Sequence, residues 1–370
     1  MNLEAVELRR VAIPLVAPFR TSFGTEIVKD ALLVRAIGAD AEGWGECVAM
    51  TEPLYSSEYV DAAEHVVRHQ LLPRLLAHDD VAAADVASVL EPVKGHRMAK
   101  AAIETAVLDA ELRCAGVSMA THLGGTQSTV ASGVSVGIMN SVGELLDTVQ
   151  RYLDEGYVRV KLKIEPGWDF EPVRAVRERF GDDLLLQVDA NTAYALTDAP
   201  HLKQLDAFKL LLIEQPLPED DVLGHADLAT LIETPVCLDE SIESLRDAAT
   251  AIRLGAAAII NVKAGRVGGY LEAKAIHDLC LAHRVPVWCG GMLETGIGRA
   301  ANVALASLPG FTLPGDTSAS DRYFKRDITA PFVLVDGHIA VPNGPGIGVD
   351  PVMDFLDEVT TAKEVVRATR

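Results

Sequence analysis

The stretch VRVKLKIEPG, residues 158–167, has a period of two: Val158, Val160, Leu162 and Ile164 alternate with Arg159, Lys161 and Lys163. Alternation at that period marks a β-strand with one apolar and one cationic face. A strand with three cations on one face needs anionic groups opposite it, and the runs that follow supply them. LLLQVD (184–189), LLLIE (210–214), PVCLD (235–239) and AAIINVK (257–263) each end in a charged residue: Asp189, Glu214, Asp239 and Lys263. These residues are spaced 25, 25 and 24 apart, the length of one strand–helix unit. With GVSVGI (133–138), VPVWCGG (285–291) and a weaker FTLPGD (311–316), the apolar runs number eight, separated by helical stretches such as YLEAKAIHDLCLAHR. Eight strands with helical crossovers predict a closed parallel barrel. An open doubly wound sheet also alternates strand and helix, but it usually carries a Gly-rich phosphate turn after its first strand, which this chain lacks.

The residues before the barrel read differently. Val6, Leu8, Val11 and Ile13 suggest a first strand, and DALLVRAIGADAEGWGE (30–46) two strands joined at Asp40–Gly43. The pattern is helical from about Ser57 to Leu112, clearest where Met98, Ile103, Ala106, Val107 and Ala110 form a stripe. The expected organisation is an α+β capping domain over 1–125 and a modified TIM-type (β/α)7β barrel over 126–325, with a tail from about 326 to 370 packing back on the capping domain.

Composition narrows the function. Lys and Arg total 33 against 53 Asp and Glu, a formal charge of −20, which disfavours nucleic acid or an anionic membrane as partner. Cys47, Cys114, Cys237, Cys280 and Cys289 contain no C-x-x-C pair, so a disulfide framework or structural zinc is not expected and a reducing cytoplasm fits. MNLEAVELRRVAIPL has charges where a signal peptide has its apolar core, and no run of about 18 uncharged apolar residues predicts a membrane span.

In a barrel the C-terminal strand ends share one rim. Asp189, Glu214 and Asp239 then converge, and three carboxylates repel unless a cation lies among them. Hard oxygen donors favour Mg²⁺, with Mn²⁺ or Co²⁺ able to substitute. Each acid alone reads equally well as a cap for the following segment; three in register favour the metal. Glu240 is expected to point elsewhere, into a salt bridge. Lys161 and Lys163 share the interior face of one strand, and Lys263 and Asn261 that of a strand nearly opposite. Such a pair suits removal of a proton from one face of a carbon and delivery to the other. A base must be neutral, and nearby cations with partial desolvation lower a lysine pKa; Lys161 and a divalent ion are expected to act so on Lys163.

The K-x-K of Lys161–Lys163, the three acids and Lys263 resemble the enolase superfamily, in its muconate-cycloisomerase-like subgroup. YVRVKLKIEPGWD, LLQVDANTAY, LLLIEQPL, CLDESI, GRVGGYLEA, WCGGMLETGIGRAANVALASLP and FTLPGDTSASDRYF resemble the o-succinylbenzoate synthase branch that also contains N-succinylamino acid racemases, as do PLVAPFRTSFGT and GWGECVAM. The resemblance implies that Asp189, Glu214 and Asp239 bind Mg²⁺ and that Lys163 removes the α-proton of a small carboxylate substrate. Lys263 stabilises the enediolate or exchanges roles with Lys163, and Lys161 sets the charge near the substrate carboxylate. It implies that Asn191 and Arg266 line the substrate site, that Arg266 accompanies racemase competence, and that Pro18–Thr25 and Met50–Tyr59 form a lid whose apolar wall is Phe19, Phe23, Met50 and Tyr55. Ordinary packing of the capping domain is the alternative for those four. Gly291, Met292 and Leu293 are pocket wall or barrel core. Barrel enzymes of this kind usually self-associate, so a homo-oligomer is expected. A dipeptide epimerase is disfavoured because Asp316 and Asp321 stand five apart where that activity carries D-x-D. A Schiff-base aldolase would need one buried lysine and no acid triad.

Overall fold

The computed structural model describes residues 2–368. An antiparallel sheet opens the chain: β1 (Leu3–Arg20), β2 (Thr25–Gly38) and β3 (Glu42–Cys47), with β1 central between β2 and the last strand of the chain, Thr360–Arg367. The β2–β3 hairpin pairs Ile37 with Glu42, turning close to where the sequence places it. Helix α1 (Arg97–Ala115) packs on β3, and the expected stripe from Met98 to Ala110 is buried. Two glycines make that contact possible. A Cβ on Gly43 would lie 2.2 Å from the Ala106 carbonyl oxygen, and one on Gly45 2.0 Å from that of Ala102. The GWG of the strand and the alanines of the helix therefore form one close-packed seam.

Seven parallel strands follow: β4 (Gly133–Val136), β5 (Arg159–Lys163), β6 (Leu185–Asp189), β7 (Ile213–Glu214), β8 (Val236–Leu238), β9 (Ile259–Val262) and β10 (Val287–Cys289). They pair in chain order from β4 to β10. The eighth run, FTLPGD, does not form a strand ladder. It touches both edges of the sheet through single bridges, Phe311 with Val287 and Gly315 with Ser132. Pro314 has no N–H to donate, which limits regular pairing there. Closure instead comes from individual bonds: Asp316 N–H to the Cys289 carbonyl and Gly133 N–H to that of Gly315, both 2.8 Å.

The tail departs from expectation in part. Thr360–Arg367 pairs with β1, but Leu334–Val335 and His338–Ala340 form a small sheet with Thr129–Ala131, just before β4. Among the described residues no helix is long and apolar enough to cross a membrane.

One buried acid joins α1 to the barrel. Glu104, 2% exposed, accepts the N–H of Leu271 at 3.1 Å, in the first turn of helix α2 (Tyr270–His283). Burial pushes it up to about 7, against the downward pull of the Leu271 and Tyr270 N–H groups. Because the folded pKa lies above the unfolded value of 4.5, its stabilising contribution is complete below that value and is lost as pH rises to about 7. Glu104→Gln is expected to remove this loss, making the variant more stable than the parent at pH 8 by roughly 3 kcal/mol and little different at pH 4. Denaturant unfolding at the two pH values checks it; an unchanged pH dependence would contradict it.

Candidate active site

The strand register builds the site. β5 pairs with β6 so that Lys163 stands beside Asp189, and β6 with β7 so that Asp189 stands beside Glu214. Asp239 follows β8 and Lys263 follows β9, so the strand-end charges occupy one rim. Along β5 the cations run inward as the alternation predicts, and all three are buried. Arg159, the deepest, pairs with Asp316 at 2.9 Å, bonds the Pro314 carbonyl at 2.8 Å and lies over the Trp288 ring. Lys161 reaches Asp316 at 2.8 Å, Glu214 at 3.1 Å and Asp189 at 3.3 Å. Lys163, nearest the rim, donates to Asp189 and to the Asn191 side-chain oxygen, each at 2.6 Å.

Across the barrel, Lys263 donates to Asp239 at 2.7 Å and to the Tyr55 hydroxyl at 3.1 Å. β9 and β5 are four strands apart in the sheet, so Lys263 and Lys163 approach the same cleft from different sides. Gly290 leaves room for Lys263, since a Cβ there would stand 2.7 Å from its Cε and 2.3 Å from Asn261 Oδ1. Asn261 in turn donates to Glu214 at 2.7 Å.

The cleft is open to solvent, and its enclosed part amounts to about 70 Å³. Its lining includes Lys161, Lys163, Lys263 and Asn191 from the barrel, Phe19, Phe23, Met50 and Tyr55 from the capping loops, and Gly291, Met292 and Leu293 after β10. Three expectations change. Arg266 does not line the cleft: it is buried behind Tyr55, paired with Asp239 and bonded to the Ile242 and Asn261 carbonyls at 2.8 Å. Tyr55 is more than apolar wall, because its hydroxyl faces Lys263, Asp239 and Arg266. Glu240 makes a hydrogen bond, not a salt bridge, accepting the Asn191 amide at 2.8 Å.

Charge in the site is heavily cross-compensated. Burial alone would raise Asp189, but Lys163 and Lys161 hold it well below the usual carboxylate range. Glu214 is pushed up by burial and by its neighbour Asp189, and Glu240 rises to about 7 for the same two reasons. Lysine pKa lowering is not what the site produces at Lys161 or Lys263. Burial would lower Lys161, but Asp316, Glu214 and Asp189 outweigh it; at Lys263, Tyr55, Glu214 and Glu240 do the same. Lys161 differs from Lys263 in its ion pairs, reaching three carboxylates where, among the described residues, Lys263 reaches Asp239 alone.

Among the described residues, no three His, Cys, Asp or Glu side chains are gathered closely enough to grip an ion; Asp189, Glu214 and Asp239 pair with Lys163, Lys161, Lys263 and Arg266. The donor set nonetheless fits a hard cation: Asp189, Glu214 and Asp239 are buried, carry only oxygen donors, and lie on successive strands. Burial and, after it, repulsion from Asp189 raise Glu214, and a divalent cation among the acids would relieve the second of these. Sequence reasoning missed Ser135, Asp316, Tyr323 and Lys29 in the lining. Asp316 had a usable signal, for it ends the eighth apolar run as the other acids end theirs; Ser135 had one in the alternation of GVSVGI.

Known proteins resemble this chain over nearly its whole length. Residues 144–355 match the enolase C-terminal domain-like family, and residues 4–124 match the mandelate racemase / muconate lactonizing enzyme N-terminal domain. The chain is 69% identical to an N-succinylamino acid racemase of Amycolatopsis sp. over 98% of this chain and 99% of that protein. It is 49% identical to an o-succinylbenzoate synthase of Geobacillus stearothermophilus over 100% and 99%. The crystal structure of an enolase-superfamily member from Listeria innocua superposes with a TM-score of 0.95, at 39% identity and full coverage of both chains.

Proposed function

The chain belongs to the enolase superfamily, with both mandelate racemase / muconate lactonizing enzyme domains, and on that premise we propose that it is an o-succinylbenzoate synthase that also racemises N-succinylamino acids. The observation that carries the reading is the pair Lys163 and Lys263, set on strands four apart and lining one cleft beside three strand-end acids. Relatives bearing both names match this chain over nearly its whole length.

In this reading Asp189, Glu214 and Asp239 hold Mg²⁺, or Mn²⁺ or Co²⁺ in its place. The bound ion supplies Lewis-acid stabilisation of the negative charge that develops on the substrate carboxylate. Lys163 takes the α-proton; in dehydration it returns a proton to the departing hydroxyl, so that water leaves with the broken C–O bond. The Lys263 ammonium faces the enediolate from the other side. In racemisation the two lysines act in turn, one accepting the α-proton and the other donating to the opposite face. Lys161, held charged by its carboxylates, attracts the substrate carboxylate without exchanging protons. Phe19, Phe23, Met50, Met292 and Leu293 exclude water from the cleft and pack against the rest of the substrate. Arg266 acts through Tyr55 and Asp239. The four buried free thiols, with Cys114 exposed, suit a reducing cytoplasm.

EDTA-treated enzyme is expected to turn over neither 2-succinyl-6-hydroxy-2,4-cyclohexadiene-1-carboxylate nor an N-succinylamino acid, and Mg²⁺ should restore both activities. An enzyme inactive on both substrates after Mg²⁺ addition would refute the assignment.

A further inference from the structure

We infer that Lys29, on the capping sheet, is a positioning residue that holds the Gly291–Leu293 wall of the cleft and thereby sets how tightly substrate binds; the inference rests on the cleft being the active site. Lys29 lies on β2, far in sequence from the barrel, and is only 5% exposed. Its ammonium crosses to the barrel and donates to the Met292 carbonyl at 2.9 Å, 3.9 Å from a carboxylate oxygen of Glu46. Glu46, on the adjacent β3, accepts the N–H groups of Thr295 and Gly298 at 3.1 Å and the Thr295 hydroxyl at 2.6 Å. It thus caps the first turn of helix α3 (Gly296–Ala306). Two neighbouring capping strands therefore grip the two ends of residues 292–298.

What they grip is strained. Leu293 has φ 57°, a left-handed conformation unfavourable for a residue with a Cβ, and such residues persist where the surroundings over-determine them. The carbonyls on either side of it are both tied: Met292 to Lys29, and Glu294 to Arg299 at 3.0 Å. Met292 and Leu293 both line the cleft, so the strained turn is also a contact surface. Apolar packing does not call for an ammonium here, since a methionine of similar length would fill the space without the cost of burying a charge. The charge has two uses in the structure, the Met292 carbonyl and the buried Glu46, for which Lys29 is the main influence opposing the upward push of burial. Lys29 is absent from the strand ends that carry Lys163 and Lys263, so its effect belongs to binding rather than to proton transfer.

The test compares the Mg²⁺-loaded full-length enzyme with Lys29→Met and Lys29→Arg. In Lys29→Met, amide hydrogen exchange across residues 292–298 should rise about tenfold or more while exchange across β5 stays unchanged. KM for N-succinylphenylalanine should rise about tenfold with kcat held within about threefold, and Lys29→Arg should restore both readouts. Unchanged exchange at 292–298 would overturn the inference, even with a raised KM, because Lys29 would then contact substrate directly. A fall in kcat at constant KM would overturn it too. If Lys29→Met does not fold, Lys29→Gln is measured in the same way. A parent enzyme inactive on both proposed substrates refutes the functional reading, and amide exchange alone then decides on Lys29.

Discussion

With Lys163 replaced by alanine, both the dehydration and the racemisation are expected to fall to background, with circular dichroism and thermal unfolding close to those of the parent. The loss should reach or exceed the roughly 10⁴-fold upper end typical of a positioned acid–base group. Lys163 stands at the rim end of β5, and its two hydrogen-bond partners, Asp189 and Asn191, lie in the site itself. Alanine removes the amine but not the strand, whose ladder to β6 is made by backbone. Asp189 keeps Lys161 at 3.3 Å, so the acid is not left without a cation. Activity measured for both substrates on one preparation checks this, and a Lys163→Ala enzyme that kept either activity would show the base to be elsewhere.

Glu214→Gln should have the second largest effect. Glu214 is fully buried at the centre of the acid row, between Asp189 in register and Cys237 on the next strand. It receives Lys161 at 3.1 Å and Asn261 at 2.7 Å. The amide keeps the shape but removes one of three charges, so Mg²⁺ affinity is expected to fall by about 10²-fold or more, and activity with it. Binding is measurable apart from turnover. A ligand that binds only the folded state raises its stability by RT ln(1 + [L]/Kd), so millimolar Mg²⁺ should raise the melting temperature of the parent and leave that of Glu214→Gln nearly unmoved. Equal shifts in the two proteins would remove Glu214 from the metal site.

Much of this site was legible in the sequence because strands in a parallel barrel are local and periodic. Alternation over 158–164 put Arg159, Lys161 and Lys163 on one face, and the near-constant spacing of Asp189, Glu214 and Asp239 put them on one rim; neither inference needed a long-range contact. What stayed hidden depends on pairing between distant segments. Lys161 meets Asp316 across 155 positions of chain, Tyr55 meets Lys263 across 208, and Lys29 meets Met292 across 263. The resemblance put Arg266 with the substrate-binding residues, but the short helix Ala264–Val267 turns it inward to Asp239. The eighth strand was weak as a pattern for the reason that it is weak in the fold: Pro314 and Gly315 replace a ladder with single bridges. Asp316 and Glu240 were likewise out of reach of a local reading, and they are among the carboxylates that keep Lys161 and Lys263 charged.

In the proposed reaction Lys163 and Lys263 serve opposite faces of one α-carbon. This is tested most directly by following α-proton exchange in D₂O for each enantiomer of an N-succinylamino acid with Mg²⁺-loaded Lys163→Ala and Lys263→Ala. Each variant should exchange the proton of only one enantiomer, the two variants should prefer opposite enantiomers, and neither should racemise. A single-lysine variant that exchanges both enantiomers, or interconverts them, would contradict the two-lysine account.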